Sequence, residues 1–109
     1  MRDVLGEFEQ IVLLAILQLD GDVYAARIVG EIERRIGRST APAAVYITLR
    51  RLEEKGLVAS RMSASTQERG GKSRRCVNVT KAGVEALRAA REAANLMWKG
   101  LEPLRKPSR

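Results

Sequence analysis

The chain has 109 residues, which suits one domain and leaves no room for a second hydrophobic core. Hydrophobic residues make up 45% of it and charged residues 30%, a balance typical of globular rather than disordered proteins. The lack of histidine and the single cysteine, Cys76, exclude histidine-based catalysis, an intrachain disulfide and a Cys/His zinc site. No apolar run approaches the roughly 18 residues of a membrane span, and the acidic N-terminal residues do not resemble a secretory signal. We therefore expect a cytoplasmic protein with no membrane contact, metal or cofactor.

The formal net charge of +7 is distributed unevenly along the chain. Residues 1–37 carry four basic and seven acidic side chains, whereas residues 38–79 carry nine basic and three acidic ones. Residues 80–109 are again basic, with seven basic and three acidic side chains. This concentration of positive charge favours a polyanionic partner, although a basic protein without such a partner can have the same composition.

The first predicted helix covers Leu5–Leu19 and is apolar on nearly every side from Ile11 onward. A helix of this kind is buried on more than one side. A small domain rarely covers it completely, so we expect one side to pack on the core of this chain and another on a partner chain.

A turn at Asp20-Gly21-Asp22 precedes the second predicted helix, about Tyr24–Arg35, which Gly37 ends as a C-cap glycine. The spacing of its apolar residues predicts that five of them face inward: Ala25, Ile28, Val29, Ile32 and Ile36.

The third predicted helix runs from about Ala41 to Lys55 and closes at Gly56. Ser39 and Thr40 offer hydroxyls as N-caps, and Pro42 suits the first turn because no backbone donor is needed there. One inward stripe is predicted, consisting of Val45, Leu49 and Leu52.

Two short strands, Leu57–Ser63 and Arg74–Val79, follow as a hairpin with a long loop. Thr80 is the expected cap of a last helix over about Lys81–Leu101, which Pro103 ends. The order of elements predicts a mostly α fold with a two-stranded β-wing, that is, a winged helix-turn-helix with a long C-terminal dimerisation helix. We expect the DNA-binding domain to cover residues 1–79 and the dimerisation helix and tail to cover residues 80–109.

The outward face of the third helix has a composition suited to the DNA major groove. Its first turns present Ala43, Ala44, Ile47 and Thr48, which are small enough for close approach or able to touch a thymine methyl or a base edge. Arg50 or Arg51, further along, would hold a phosphate. The alternative is an ordinary solvated helix face.

The loop of the hairpin is strongly basic. Four cationic residues, Arg69, Lys72, Arg74 and Arg75, lie close in sequence to two glycines, Gly70 and Gly71. Clustered cations repel one another unless an anion is close, and release of counterions from DNA would favour their binding there. A basic loop that binds nothing is the alternative.

The last helix carries an apolar stripe at heptad spacing that nothing later in the chain covers. The stripe consists of Val84, Leu87, Ala94, Trp98 and Leu101 and is interrupted by the charged residue Arg91. We expect a symmetric dimer in which this helix packs on the first helix and on a second chain. The expected interface or ligand-contacting residues are Phe8, Val12, Leu87, Ala94, Trp98 and Leu101. Trp98 is either plain interface core or part of a pocket for a small-molecule effector between subunits.

Four segments, in this order, resemble the PadR family of bacterial transcriptional regulators: LGEFEQIVLLAIL, VYAARIVGEIE, AVYITLRRLEEKGLV and ERGGKSRRCVNVTKAG. The resemblance extends over Leu5–Leu101 and is closest to the small branch of the family, which has one short C-terminal helix. It implies a homodimeric winged-helix repressor that binds a pseudo-palindromic operator on double-stranded DNA and is released by a small ligand or another signal.

The resemblance also implies that Tyr24, Tyr46 and Arg51 contact or support the DNA backbone, although Tyr46 could equally be a core residue with an exposed hydroxyl. The expected DNA-binding residues are Tyr24, Thr40, Ala43, Ala44, Tyr46, Ile47, Thr48, Arg50, Arg51, Arg69, Gly70, Gly71, Lys72 and Arg74.

Other interpretations stay open at this point. The winged helix could dock on another protein, in which case its basic charge is incidental. Cys76, among arginines, is either a small packing residue or a redox-sensitive thiol. An enzyme is not expected, because the chain has no histidine, no phosphate-binding glycine motif and no paired acidic motif in a plausible cleft.

Overall fold

The computed structural model describes residues 4–64, 70 and 73–101. Its elements follow one another as α1 (Glu7–Gln18), α2 (Ala25–Ile36), α3 (Pro42–Glu54), β1 (Val58–Ser63), β2 (Arg74–Val79) and α4 (Lys81–Trp98). Three helices, an antiparallel hairpin and a longer helix make a winged helix-turn-helix, so the predicted fold class is confirmed. No helix in the described ranges is long and apolar enough to cross a membrane.

The helix α1 has one side in the core and another side outside it. Val12, Leu13 and Ile16 are buried, whereas Leu14 is 48% and Leu17 51% exposed. The prediction of an apolar helix that packs on this chain's own core along one side is therefore confirmed, and its other side leaves large aliphatic side chains in water.

The helix α2 ends as its composition predicts. Gly37 has a left-handed φ of 66°, and its N–H donates to the Glu33 carbonyl at 2.8 Å. Ile28 and Ile32 are buried, but Ile36 is 54% exposed, so its predicted inward position is wrong. Ile36 lies in the last turn, at the rim of a shallow cleft between α1 and α2.

The helix α3 starts at Pro42, as the first-turn proline predicts, but without a side-chain cap. The expected hydroxyl cap from Ser39 or Thr40 is wrong, because the N-cap residue is Ala41, whose carbonyl accepts the N–H of Ala44 at 3.0 Å. The predicted stripe is confirmed in the core, with its three members Val45, Leu49 and Leu52 all buried.

The hairpin is held to the helices by backbone hydrogen bonds as well as by packing. Its register runs from Val58 opposite Val79 to Ser63 opposite Arg74. The Val77 N–H also donates to the carbonyl of Val23, before α2, at 2.8 Å. Cys76 is only 1% exposed, as a small packing residue would be.

The core lies where α1, α2, α3 and the hairpin meet. Within the described part of the chain, its buried side chains are Val12, Leu13, Ala15, Ile16, Val23, Ala25, Ile28, Ile32, Val45, Leu49, Leu52, Val58 and Val77.

A compact junction connects the wing to α4. Thr80 accepts the N–H of Gly83 at 3.1 Å through its side-chain oxygen, which confirms Thr80 as the cap. The same hydroxyl donates to the Gly56 carbonyl at 2.7 Å, and the Thr80 N–H donates to the Leu57 carbonyl at 3.0 Å. The first turn of α4 is thereby bound directly to the turn that ends α3.

The far end of α4 differs from the prediction. The helix stops at Trp98, before the predicted end at Leu101, and Gly100 then has a left-handed φ of 88°. The chain already leaves the helical path at Lys99, whose ψ is 128°, and the predicted terminator Pro103 lies outside the described residues.

An ion pair connects α1 to the end of α3. The carboxylate of Glu9, a residue only 6% exposed, accepts the Gly6 N–H at 2.8 Å and the Lys55 Nζ at 2.9 Å. Burial by itself raises the pKa of Glu9, but these two donors, together with the nearby charge of Arg51, outweigh it and hold the pKa below the ordinary 4.5.

Substituting Gly83 by alanine should destabilise the protein. A Cβ there would lie 2.3 Å from the Leu57 carbonyl oxygen and 2.6 Å from Val79 Cγ1, so the junction would have to open. Overpacking of this kind costs about 1–3 kcal/mol, measurable by urea unfolding. Gly30, inside α2, is the matched control because a Cβ added there would meet no atom within 4 Å. Gly30→Ala should instead be neutral or stabilise by up to about 1 kcal/mol, and equal effects at both positions would contradict the expectation.

Substituting Glu9 by glutamine should change the response of stability to acid. A carboxyl whose pKa is lowered in the folded state stabilises the fold above its ordinary pKa, and this contribution is lost as pH falls through the lowered value. Glu9→Gln should therefore be less stable at neutral pH by about 1–3 kcal/mol, because Lys55 loses its partner. The difference from the wild type should shrink as pH falls below 4.5. Urea unfolding at several pH values checks this, and a difference independent of pH would contradict it.

Candidate DNA-binding surface

A groove of about 760 Å³ lies between the start of α2, the exposed side of α3 and the base of the wing. Its polar lining comes from seven residues: Tyr24, Tyr46, Arg50, Glu53, Ser73, Arg74 and Arg75. Four of the residues predicted from the sequence to contact DNA, namely Tyr24, Tyr46, Arg50 and Arg74, are thus brought together from three separate elements.

The aromatic ring of Tyr24 organises the base of the wing. Tyr24 is the N-cap residue of α2, and the guanidinium carbon of Arg74 lies 3.8 Å from the centre of its ring. A cation over an aromatic face is an attractive arrangement, and it directs Arg74 along the groove wall. Tyr46, on α3, is 61% exposed and therefore belongs to the surface rather than to the core.

The exposed side of α3 matches most of the prediction. Ala43 is exposed and Ala44 half-buried, while Ile47 is 59% exposed. The expected outward position of Thr48 is wrong, because this residue is only 6% exposed. Thr48 follows Val45 by three residues and precedes Leu52 by four, so it lies on the same helical face as the buried stripe.

Thr40, just before α3, also faces inward through its hydroxyl. The residue is half-buried, and its Oγ1 is shielded from solvent without a hydrogen-bond partner in the part of the chain that the structure describes. This oxygen is therefore not presented at the surface where a DNA contact was expected.

Arg50 and Arg51 point to different sides of α3. Arg50 is exposed and lines the groove, and its guanidinium has no ion-pair partner among the residues described. Arg51 is absent from the groove lining and lies close enough to Glu9 to lower the pKa of that carboxyl. Of the two predicted phosphate ligands, Arg50 is the one the fold places in the groove.

A set of polar contacts that hold the wing was not predicted from the sequence. Arg61 on β1 donates to Asp22 Oδ1 at 2.8 Å, a hydrogen bond that raises the pKa of Arg61. Ser60 donates to Glu53 at 2.8 Å and accepts from Arg75 at 2.9 Å. No local pattern could indicate these pairs, because each joins residues at least seven positions apart in the chain.

Part of the predicted wing surface lies outside the described residues, namely Arg69, Gly71 and Lys72. Gly70 is described and has a left-handed φ of 65°, which suits a glycine in a turn.

Comparison with known proteins agrees with this geometry. Residues 13–89 match the family described as the transcriptional regulator PadR-like family. The chain belongs to this family. It is thus a DNA-binding regulator of transcription with a winged helix. No curated protein shows a significant match to the sequence.

Solved structures of similar fold come from several sources. A PadR family transcription regulator from hypervirulent Clostridium difficile is 20% identical, with 90% of this chain and 97% of that one covered and a TM-score of 0.71. A PadR-like transcriptional regulator from Bacillus cereus is 19% identical, with 88% of each chain covered and a TM-score of 0.69. A winged-helix DNA-binding protein from STIV is 11% identical, with 90% of this chain and 98% of that one covered and a TM-score of 0.68.

The residues expected at a dimer interface or ligand site of this PadR-like regulator differ in their exposure. Val12 is fully buried in the chain's own core, so its expected place at an interface is wrong. Phe8 and Leu87 are half-buried against the same core. Three others are exposed, namely Ala94, Trp98 and Leu101. No cluster of metal-binding side chains occurs within the described ranges.

Replacing Arg50 by alanine should weaken DNA binding by this PadR-like regulator more than replacing Arg51 does. Loss of one phosphate contact lowers the slope of log affinity against log salt concentration by about 0.9. Fluorescence anisotropy with a labelled duplex, repeated over a series of salt concentrations, measures this slope. Arg51→Ala is the matched control, because it removes the same charge from the adjacent position, outside the groove. Equal slopes for both variants would contradict the assignment.

Proposed function

We propose that this PadR-like regulator is a homodimeric repressor that acts in the cytoplasm. It binds a pseudo-palindromic operator and is released by a small ligand or another signal. The observation that carries the proposal is the groove beside α3, where Tyr24, Tyr46, Arg50 and Arg74 converge next to an exposed, largely apolar helix face.

In the proposed complex the first half of α3 enters the major groove. Ala43 and Ala44 let the helix backbone come close to the bases, and Ile47, being 59% exposed, supplies an apolar contact for a thymine methyl. Arg50 and Arg74 hold phosphates on either side. These phosphate contacts position the protein, while the apolar contacts of α3 contribute to the choice of sequence.

A second copy of the chain is supported by apolar surface that one chain leaves uncovered. On α1 the exposed residues are Leu14 and Leu17; on the last turns of α4 they are Leu96, Met97 and Trp98, which are 65%, 79% and 46% exposed. Residues 91–101 are all exposed, so the second half of α4 has no core to pack on. An isolated helix of such length is marginal in water, and contiguous exposed apolar surface is typical of an interaction site.

A symmetric dimer would cover the exposed apolar side chains and would also give the second half of α4 a surface to pack on, because each α4 can cover apolar surface on the other chain. Trp98 then lies at or near the interface, where an aromatic side chain can contact a small-molecule effector. An effector bound there would alter the separation of the two α3 helices and thereby release DNA.

Sequencing of genomic DNA fragments retained by the purified protein tests the operator directly. We expect enrichment of one inverted repeat, with half-sites separated by about one helical turn, or 10–10.5 base pairs. Light scattering on the same preparation should give twice the mass of the chain. A strict monomer, or retained fragments without a shared motif, would contradict the proposal and favour docking of the winged helix on another protein. A reporter gene placed behind the recovered sequence should be less active when the regulator is present.

A further inference from the structure

The three arginines on the two strands of the wing each have a partner within the chain. Arg61 is paired with Asp22, and Arg74 lies over the ring of Tyr24. Arg75 donates from Nη1 to the Ser60 hydroxyl at 2.9 Å, and the same nitrogen lies 3.9 Å from Glu53 Oε1. Arg50, across the groove, has no such partner among the described residues.

Glu53 contacts both Ser60 and Arg75. It is on the last turn of α3, while Ser60 is on β1 and Arg75 on β2. Its Oε2 accepts the Ser60 hydroxyl at 2.8 Å, and its Oε1 faces the Arg75 guanidinium. One carboxylate therefore connects α3 to both strands of the wing.

The position of Glu53 is unexpected on a DNA-binding surface. Glu53 and Arg75 both line the groove, and their side chains are 45% and 62% exposed, so solvent and ligands reach both. An exposed guanidinium in a basic groove is a natural phosphate ligand. A carboxylate beside it competes with phosphate for the same donors and also repels the phosphate itself.

This competition acts on one component of DNA affinity. Phosphate contacts give affinity that is independent of sequence, whereas discrimination comes from contacts to base edges and from DNA shape. A cation withheld from phosphate lowers the affinity for every DNA sequence and leaves the base contacts of α3 unchanged. A loss that is the same for every sequence leaves the ratio of specific to non-specific affinity unchanged, so the withheld cation limits how tightly DNA is held and not which DNA is preferred.

We propose that Glu53 is an affinity-limiting residue that withholds Arg75 from DNA phosphates, holding it on the wing through Ser60 and its own carboxylate. The effect is weaker binding to DNA of any sequence. This inference rests on the proposed use of the groove for DNA, and it adds a residue whose role is to limit affinity rather than to supply it.

The test uses the full-length protein and a mixed-sequence duplex of roughly three helical turns, titrated at several salt concentrations. Glu53→Gln keeps an oxygen that can accept the Ser60 hydroxyl but removes the charge that holds Arg75. Affinity for this duplex should rise severalfold, and the salt slope should steepen by about 0.9, as one new phosphate contact predicts. Arg75→Ala alone should leave the slope unchanged, because Arg75 makes no phosphate contact in the wild type.

The decisive variant combines Glu53→Gln with Arg75→Ala. Its slope should return to the wild-type value, because the freed guanidinium is gone. Glu54→Gln is the control for the simple loss of one negative charge near DNA. Glu54 is next to Glu53 in the sequence, is exposed and has no partner among the described residues. This control should steepen the slope much less than Glu53→Gln does.

Three results would overturn the proposal: an unchanged slope in Glu53→Gln, an equal steepening when Arg75 is absent, or a flatter slope in Arg75→Ala alone. Thermal unfolding of each variant shows whether the wing has stayed folded, and a cooperative transition like that of the wild type is expected.

If the wild type itself binds the duplex without salt dependence, the DNA-binding role of the groove fails as well. If the wild type binds with a clear slope and only the Glu53 variants deviate, this inference alone is wrong.

Discussion

The burial of one face of α3 is the constraint on which the remaining surfaces depend. Val45 and Leu52 are completely buried and Thr48 is nearly so, and a close-packed core leaves such a helix no freedom to rotate about its axis. Side chains on a helix are separated by fixed angles, so the same burial determines that Ile47 and Arg50 face outward. The core thus determines which side chains α3 presents at the surface.

The C-terminal end of α3 is held from two directions, which makes the helix and the wing a single mechanical unit. Lys55 is paired with the buried carboxylate of Glu9 on α1, and Glu53 accepts the hydroxyl of Ser60 on β1. Between these contacts the chain turns at Gly56, whose φ of 77° suits a residue without a side chain. A groove built from α3 and the wing can keep its shape because the end of the helix cannot move independently of the strands.

Much of the fold could be predicted from the sequence because helix and strand signals are local. The change of hydrophobic period from 3.6 to two separates helices from strands, and Gly37 and Thr80 mark a helix end and a helix start through hydrogen bonds to near neighbours. The errors fall where local signals compete. The hydroxyls of Ser39 and Thr40 resemble a cap, yet the chain enters α3 at Ala41, and α4 stops before Gly100 rather than at the later proline.

The sequence by itself determined the order of the elements, the inward stripe of α3 and the concentration of positive charge in the second third of the chain. Only the tertiary structure decided which charges are available, because a charge is neutralised by whatever side chain the fold brings beside it. Arg50 and Arg51 are adjacent in sequence, but Arg50 lines the groove, whereas Arg51 lies outside its lining and near enough to Glu9 for its charge to lower the pKa of that carboxyl. Among the described residues, Glu53, near the end of α3, has no counterpart within reach in its own helix and joins α3 to the wing only through Ser60 and Arg75. Periodicity shows which residues share a face of one element, whereas the partners of that face come from distant parts of the chain and are known only after folding.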